Sequence, residues 1–464
     1  MASSPKVTVV EICATSPPPS VPPASLPLTF FDIPWLLFTP TQPLFFFEFP
    51  TTTAHFTKFI LPNLEHTLTL TLQHFFPLAG KLVTPPLSAE PHLEYTGDDT
   101  IFLTIAEAAG DFESLAGYKR KMAQDFHGLV PLLRSEEGAK KPILAIQITV
   151  FPQAGICMGF ILRHVAADGR TFNNFLKTWA SLNKNGEILG VEDLVAFHDR
   201  SVIRDPSGLG LIFLKEWWDI ENTQRKGSFE VKGESTYDMI RATFVLGPKE
   251  MEKIKKWILT RSEKLFGSTH LLLSPYIVTC AFVWVCWMKT HWFKNEDFDD
   301  QNYVHYFGFI AGGLTRLGYM VPSTYVGNCV GFGRASATRC ELIGENGIVF
   351  ASKAIGDTIK RLNGDVLGGA KNWISEWKVL HESELHVTVI GSPKLDLYGL
   401  DFGWGKPVKI EEVSIDATSA ISLCEGREVV GGIEIGLVLP TTKMDAFSNL
   451  FNKGLSQFSF VNDS

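Results

Sequence analysis

Apolar residues alternate at Ile156, Met158, Phe160 and Leu162, and then Phe172, Phe175, Leu176 and Trp179 recur at helical spacing. A period of two giving way to a period near 3.6 predicts a strand, a turn and a helix, with the turn at RHVAADG, residues 163–169. The stretch ILAIQITVF within residues 142–151 reads as a strand that pairs beside this one, and residues 92–105 read as another. Over residues 63–76, Leu64, Leu68, Leu70, Leu72 and Phe75 mix helical and alternating spacing before Pro77 and Gly80, which predicts a helix running into a turn. The proline-rich PPPSVPPASLP, residues 17–27, predicts an extended arm on the surface. Further on, the pattern gives strands at 240–246, 304–310, 408–414 and 432–439, a charged amphipathic helix at 248–262 and an apolar helix at 276–289.

The two halves thus carry similar inventories of strands and helices, and 464 residues exceed what one core normally serves. Two mixed α/β domains with a cleft between them are expected, a layout that suits two substrates. The turn-rich stretch 183–210, containing DRSVIRDPSG, is the candidate crossover. A net charge of −8 and the absence of any basic run interleaved with aromatics argue against nucleic acid as a partner. The opening MASSPKVTVVEICATSPPPS has no long apolar core, and residues 277–288 are too short to span a bilayer, so a soluble cytoplasmic protein is expected, with no membrane partner. Seven scattered cysteines without a CxxC pair fit reduced thiols, with Cys329 the nearest to a candidate nucleophile. Thirty-five phenylalanines make aromatic-lined pockets an expectation.

The chemistry concentrates at His164, four residues before Asp168. A neutral imidazole at the end of a strand can take a proton from an alcohol or amine as it attacks a carbonyl, with Asp168 holding the ring or the backbone around it. The same spacing fits a hydrogen-bonded structural histidine, and on these residues alone that reading is the stronger. Other signatures fail: Gly405-Lys406 would end a phosphate loop, but Leu400 stands at its first glycine and Pro407 at its Ser/Thr. Gly391-Ser392 is a fragment of a hydrolase elbow, and Gly308, Gly312, Gly313 and Gly318 miss the dinucleotide spacing. Twelve histidines show no HExxH, so no metal and no built-in cofactor are expected, and His270, His291 and His305 read as surface or hydrogen-bonded residues.

RHVAADG taken together with DFGWGKP, residues 401–407, resembles the paired signatures of the plant BAHD acyltransferases. The likeness extends to LPLTFFDIPWL (26–36), LTLQHFFPLAGKL (70–82), DRSVIRDP (199–206), YVGNC (325–329) and GGIEIGLVLP (431–440), in the same order. It implies a two-domain chloramphenicol-acetyltransferase-like α/β fold, each domain a mixed β-sheet flanked by helices, with an active-site channel at the interface. The implied domains are 1–190, joined by part of 366–395, a crossover at 191–215, and 216–464. It implies acyl-CoA as co-substrate and His164 as the general base, while Asp168 braces the loop by pairing with an arginine of the second domain. That arginine's segment departs from the family pattern: AGGLTRL (311–317) has Gly312 and Leu314 where the acid and the arginine would align, leaving Arg316 as a substitute. Asp401, Gly403, Trp404 and Gly405 are implied to be structural.

YVGNC and GSPKLDLYGLDFGWGKP (391–407) resemble the branch that acylates anthocyanins and other flavonoid or phenolic glycosides, which implies a sugar hydroxyl as acceptor and a monomer acting on two small molecules. Malonyl transfer would favour a cation at the site, for which Arg170 is the candidate; hydroxycinnamoyl transfer would favour an aromatic slot. Asn328 and Ser392 are further candidates for contact with substrate. The alternatives are a different alcohol, amine or acylsugar acceptor, or a non-catalytic member of the family.

Overall fold

The computed structural model describes residues 5–85, 89–133, 140–187, 196–226, 238–267, 270–292, 302–383, 385–418 and 420–458. The chain forms two compact units. The first is assembled from Met1–Tyr237, Tyr319–Cys329 and Leu395–Ser414, and the second from Asp238–Gly318, Val330–Lys394 and Ile415–Ser464.

The first unit is built on a six-stranded sheet in the order Lys6–Thr15, Ile101–Ala109, Leu144–Phe151, Gly155–Leu162, Pro43–Glu48, Lys409–Glu412. The central hairpin follows from its sequence: LAIQITVF and GICMGFIL are buried at all sixteen positions, as strands covered on both faces must be. They pair antiparallel, Leu162 opposite Leu144, so the expected neighbour of the strand leading to His164 is the one found. Helices Leu61–His74 and Gly169–Asn185 pack against each other, with the Trp179 indole donating to the Leu64 carbonyl at 3.0 Å.

Residues 92–105 form two strands, His92–Tyr95 and Ile101–Ala109. The break comes at Gly97, with φ +92°, where Asp99 Oδ2 accepts from the Thr96 amide and hydroxyl. The arm at 17–27 ends as a strand, Ala24–Pro27, paired with His92–Tyr95 in a small four-stranded sheet, and a strand at Lys6–Thr15 precedes it. Part of 366–395 was expected to rejoin the first domain; the segments that return to the first unit are Tyr319–Cys329 and Leu395–Ser414, the latter because Lys409–Glu412 adds an antiparallel strand beside Phe45 and Phe46. Position 216 lies inside the helix Leu209–Lys226, and the second unit begins at Asp238; residues 191–195 of the expected crossover lie outside the described residues.

In the second unit, strands run in the order Val330–Thr338, Val304–Gly312, His386–Ile390, Ala420–Glu425, Ile433–Pro440, Met239–Leu246. Its core is organised around Pro275–Trp292, a helix buried on nearly every side from Ile277 to Met288, which explains its lack of amphipathic periodicity. Among the described residues no helix is long and apolar enough to cross a membrane.

Candidate active site

The residues around His164 all belong to the first unit. The strand Gly155–Leu162 ends at Arg163, whose backbone N–H bonds the Ile143 carbonyl and whose Nε donates to the Pro142 carbonyl, at 2.9 and 2.8 Å. A single 3-10 turn, His164–Ala166, then carries the chain to Asp168. Asp168 is the N-cap of the helix Gly169–Asn185: its Oδ1 accepts from the Thr171 N–H at 2.8 Å, satisfying a donor that the first helical turn leaves open. Its Oδ2 accepts from the Cys329 N–H at 3.1 Å and lies 3.6 Å from Arg170 Nη2. Asp168 therefore ties the 163–169 turn to the YVGNC segment, and the Thr171 hydroxyl adds a bond to the Gly327 carbonyl at 2.9 Å.

His164 is half-buried, and its ring is fixed from two directions. Trp35 stacks on one face, with ring centroids 3.6 Å apart and planes 15° from parallel. Asn328 Oδ1 lies 3.1 Å from Nδ1. Nε2 has no partner among the described residues. Dense protein around the ring removes water from the imidazolium and lowers the pKa below its ordinary value, although Asp168, the residue's own backbone, the Asn328 bond and Asp32 act in the opposite sense. The net effect keeps the ring neutral at neutral pH, the form able to accept a proton.

Behind Asn328 lies a buried polar chain. Asp32 receives the Asn328 N–H and side-chain NH2 on Oδ1, at 3.1 and 2.9 Å. On Oδ2 it receives the Thr29 N–H and hydroxyl at 2.8 and 2.7 Å and Arg200 Nη1 at 3.3 Å. Arg200 also donates to the Tyr325 hydroxyl at 2.8 Å. Burial alone would make the Arg200 guanidinium easier to deprotonate, but the Asp32 charge and the bond to Tyr325 outweigh it and hold the pKa above its usual value. Trp35, Asp32, Arg200 and Tyr325 were not foreseen as site residues. They sit within the segments that carry the resemblance, but Asp32 and Asn328 are 296 positions apart, and no spacing rule links them.

His164, Asp168, Arg170 and Asn328 thus come together. Arg170 is engaged: Nη1 donates to the Ser323 carbonyl at 2.8 Å, and Nη2 lies near Thr171 Oγ1 and Asp168. Ser392 belongs to a turn of the second unit, where its hydroxyl accepts from the Lys394 N–H at 3.3 Å. Arg316 is also a second-unit residue, bonded to the Gly312 carbonyl and Asn363 Oδ1. Each carboxylate oxygen of Asp168 has a donor within the first unit, the Thr171 N–H on Oδ1 and the Cys329 N–H on Oδ2.

DFGWG forms a turn. Asp401 Oδ1 accepts the N–H groups of Gly403 and Gly405 at 2.8 and 3.1 Å, and both glycines have φ near +98°, a conformation costly for any side chain. Asp401 Oδ2 meets Lys184 Nζ at 2.6 Å, which ties the turn to the end of the helix that Asp168 caps. Trp404 packs against Phe47, Phe49, Phe56 and Phe402. Cys329 is buried, and loss of water pushes its thiol up to about 12, with Asp168 adding to the effect, which disfavours the thiolate that a nucleophilic cysteine needs. Among the described residues no cluster of three or more His, Cys, Asp or Glu could hold a metal ion.

A protein-family model described as the Transferase family matches residues 6–453. Coumaroyl-CoA:anthocyanidin 3-O-glucoside-6''-O-coumaroyltransferase 1 of Arabidopsis thaliana is 38% identical, over 97% of this chain and 98% of its own. Malonyl-coenzyme A:anthocyanin 3-O-glucoside-6''-O-malonyltransferase of Dahlia pinnata is 35% identical, over 98% of this chain and 99% of its own. The crystal structure of vinorine synthase superposes with a TM-score of 0.64, at 16% identity, covering 95% of this chain and 96% of that one, and so shares the fold.

Proposed function

Because this chain belongs to the BAHD acyltransferase family, we propose that it transfers an acyl group from a coenzyme A thioester to a sugar hydroxyl of an anthocyanin, flavonoid or other phenolic glycoside, with His164 as the general base. The observation that carries the mechanism is the His164 ring: stacked on Trp35, bonded at Nδ1 and open at Nε2. The acceptor hydroxyl gives its proton to Nε2 as its oxygen attacks the thioester carbonyl. The carbon–sulfur bond then breaks, and the imidazolium returns the proton to the departing thiolate. General-base catalysis of this kind supplies about 10²- to 10⁴-fold, and alignment of the two substrates much of the rest. Asp168 acts as a positioning residue that caps the helix and anchors YVGNC.

The donor favoured is an aromatic acyl group. A malonyl carboxylate would need a cation directed at it, and the Arg170 guanidinium is instead turned to the Ser323 carbonyl, Thr171 and the Asp168 carboxylate, which already balances its charge. Purified protein offered p-coumaroyl-CoA and malonyl-CoA, each against an anthocyanidin, its 3-glucoside and its 3,5-diglucoside, should give a coumaroylated glucoside by mass spectrometry. Acylated aglycone beside untouched glucosides would overturn the acceptor assignment, and faster malonyl transfer would overturn the donor.

A further inference from the structure

We propose that Asp32, acting through Asn328, holds the His164 imidazole in the tautomer that carries its proton on Nδ1 and leaves Nε2 as the base. This rests on the reading of His164 as general base and names what prepares it.

The argument starts at Asp32, which is fully buried. Every group that reaches its oxygens is a donor: two N–H groups of Asn328 on Oδ1, and Thr29 and Arg200 on Oδ2. An ionised carboxylate satisfies them all, whereas an amide in its place would turn its own NH2 against one set. The orientation of Asn328 follows. Its Nδ2 is surrounded by the Asp32 carboxylate and the carbonyls of His164 and Val165, at 2.9, 2.9 and 3.2 Å, and these oxygens can only accept. The NH2 end must point there, so Oδ1 must face the imidazole.

An amide oxygen cannot donate. At 3.1 Å from it, Nδ1 has to supply the hydrogen, and a neutral imidazole has only one ring N–H to place. Nε2 is left with its lone pair. Free histidine favours the opposite tautomer, so the protein has to impose this one. Trp35 fixes the plane of the ring, and Asn328 decides which edge faces inward. The charges nearest the ring are the carboxylates of Asp168 and Asp32, each tied to its own donors, with Arg200 balancing Asp32 and Arg170 beside Asp168.

The test reads the tautomer directly. Protein labelled with ¹⁵N at its imidazole nitrogens gives long-range proton–nitrogen correlations in which bare and protonated nitrogens are well separated, and the signals missing from His164→Gln identify the residue. The expected wild-type spectrum shows a protonated Nδ1 and a bare Nε2. In Asp32→Asn and Asn328→Leu the proton should redistribute toward Nε2, while kcat falls about 10²-fold or more and KM for both substrates stays within about threefold. A wild-type spectrum with the proton on Nε2 overturns the proposal without any variant having to fold. So does a kcat loss in folded variants whose tautomer is unchanged. The parent reading fails by a different measurement, retention of turnover by His164→Gln, so the two failures are distinguishable.

Discussion

At His164, loss of water competes with the pull of Asp168, the Asn328 bond and the more remote Asp32, and loss of water wins. The direction has a kinetic consequence. Only the neutral ring accepts a proton, so kcat/KM should be level near neutral pH and fall on the acid side, with its inflection below the ordinary histidine value of about 6.5. A pH profile with the preferred substrate pair checks this, and an inflection at or above that value would contradict the environment described. The spacing of His164 and Asp168 was legible in the sequence, and it offered a general base only as one reading beside a hydrogen-bonded structural histidine. The resemblance implied that Asp168 braces the loop through an arginine, but the bonds it makes were not legible. Four residues apart around a turn, the carboxylate looks placed to face the imidazole, but the helix that follows has an open N–H at Thr171, and the capping bond claims it. The group that does face the ring, Asn328, arrives from a segment whose proximity depends on the complete first unit.

Among elements, those with strong periodicity were the readable ones. GICMGFIL and LAIQITVF could hardly be anything but buried strands, and the helix after Asp168 announces both ends, with an aspartate at its start and Gly186 in the left-handed conformation, φ +74°, past its last turn. The strand Val330–Thr338 was missed because Gly331 and Gly333 dilute its β pattern; a side chain there would strike Val366 or Phe309, so packing chose glycine over propensity. The YVGNC segment holds the sharpest case. Gly327 has φ +151°, and a Cβ there would lie 2.1 Å from Arg200 Nη1, the atom that reaches Asp32 and Tyr325. Gly327→Ala should therefore displace a buried guanidinium from its carboxylate, destabilising the protein by about 2 kcal/mol or more. Activity should also fall, since Asp32 and Asn328 shift with Arg200. Urea titration and kcat of the refolded variant check both effects; a variant within about 0.5 kcal/mol of wild type would show that the loop relaxes freely.

At the scale of the molecule, neither unit is one continuous stretch of chain. The first unit takes its core and His164 from the N-terminal half, but Asn328 comes from Tyr319–Cys329 and its last strand from Leu395–Ser414. That strand lies along Pro43–Glu48, where Leu44, Phe45, Phe46 and Phe47 are almost wholly buried, and Val408 N–H bonds the Phe46 carbonyl at 2.7 Å. It also delivers Glu411 to within 3.4 Å of Lys121, an ion pair with both side chains buried. A chain ended at residue 237 would keep most of the sheet yet leave Pro43–Glu48 as a bare apolar edge, Lys121 without Glu411, and Asp32 without Asn328. Losing a neighbouring strand, one member of a buried ion pair and the Asn328 donors draws on a domain stability of only about 5–15 kcal/mol. The fragment 1–237 should accordingly aggregate, or show no cooperative thermal transition by near-ultraviolet circular dichroism, even though it contains both His164 and Asp168. A soluble fragment melting cooperatively near the temperature of the full chain would mean that the interleaved segments only decorate a unit already able to fold. The expectation is the reverse: the later segments complete the sheet and bring the residue that orients the base.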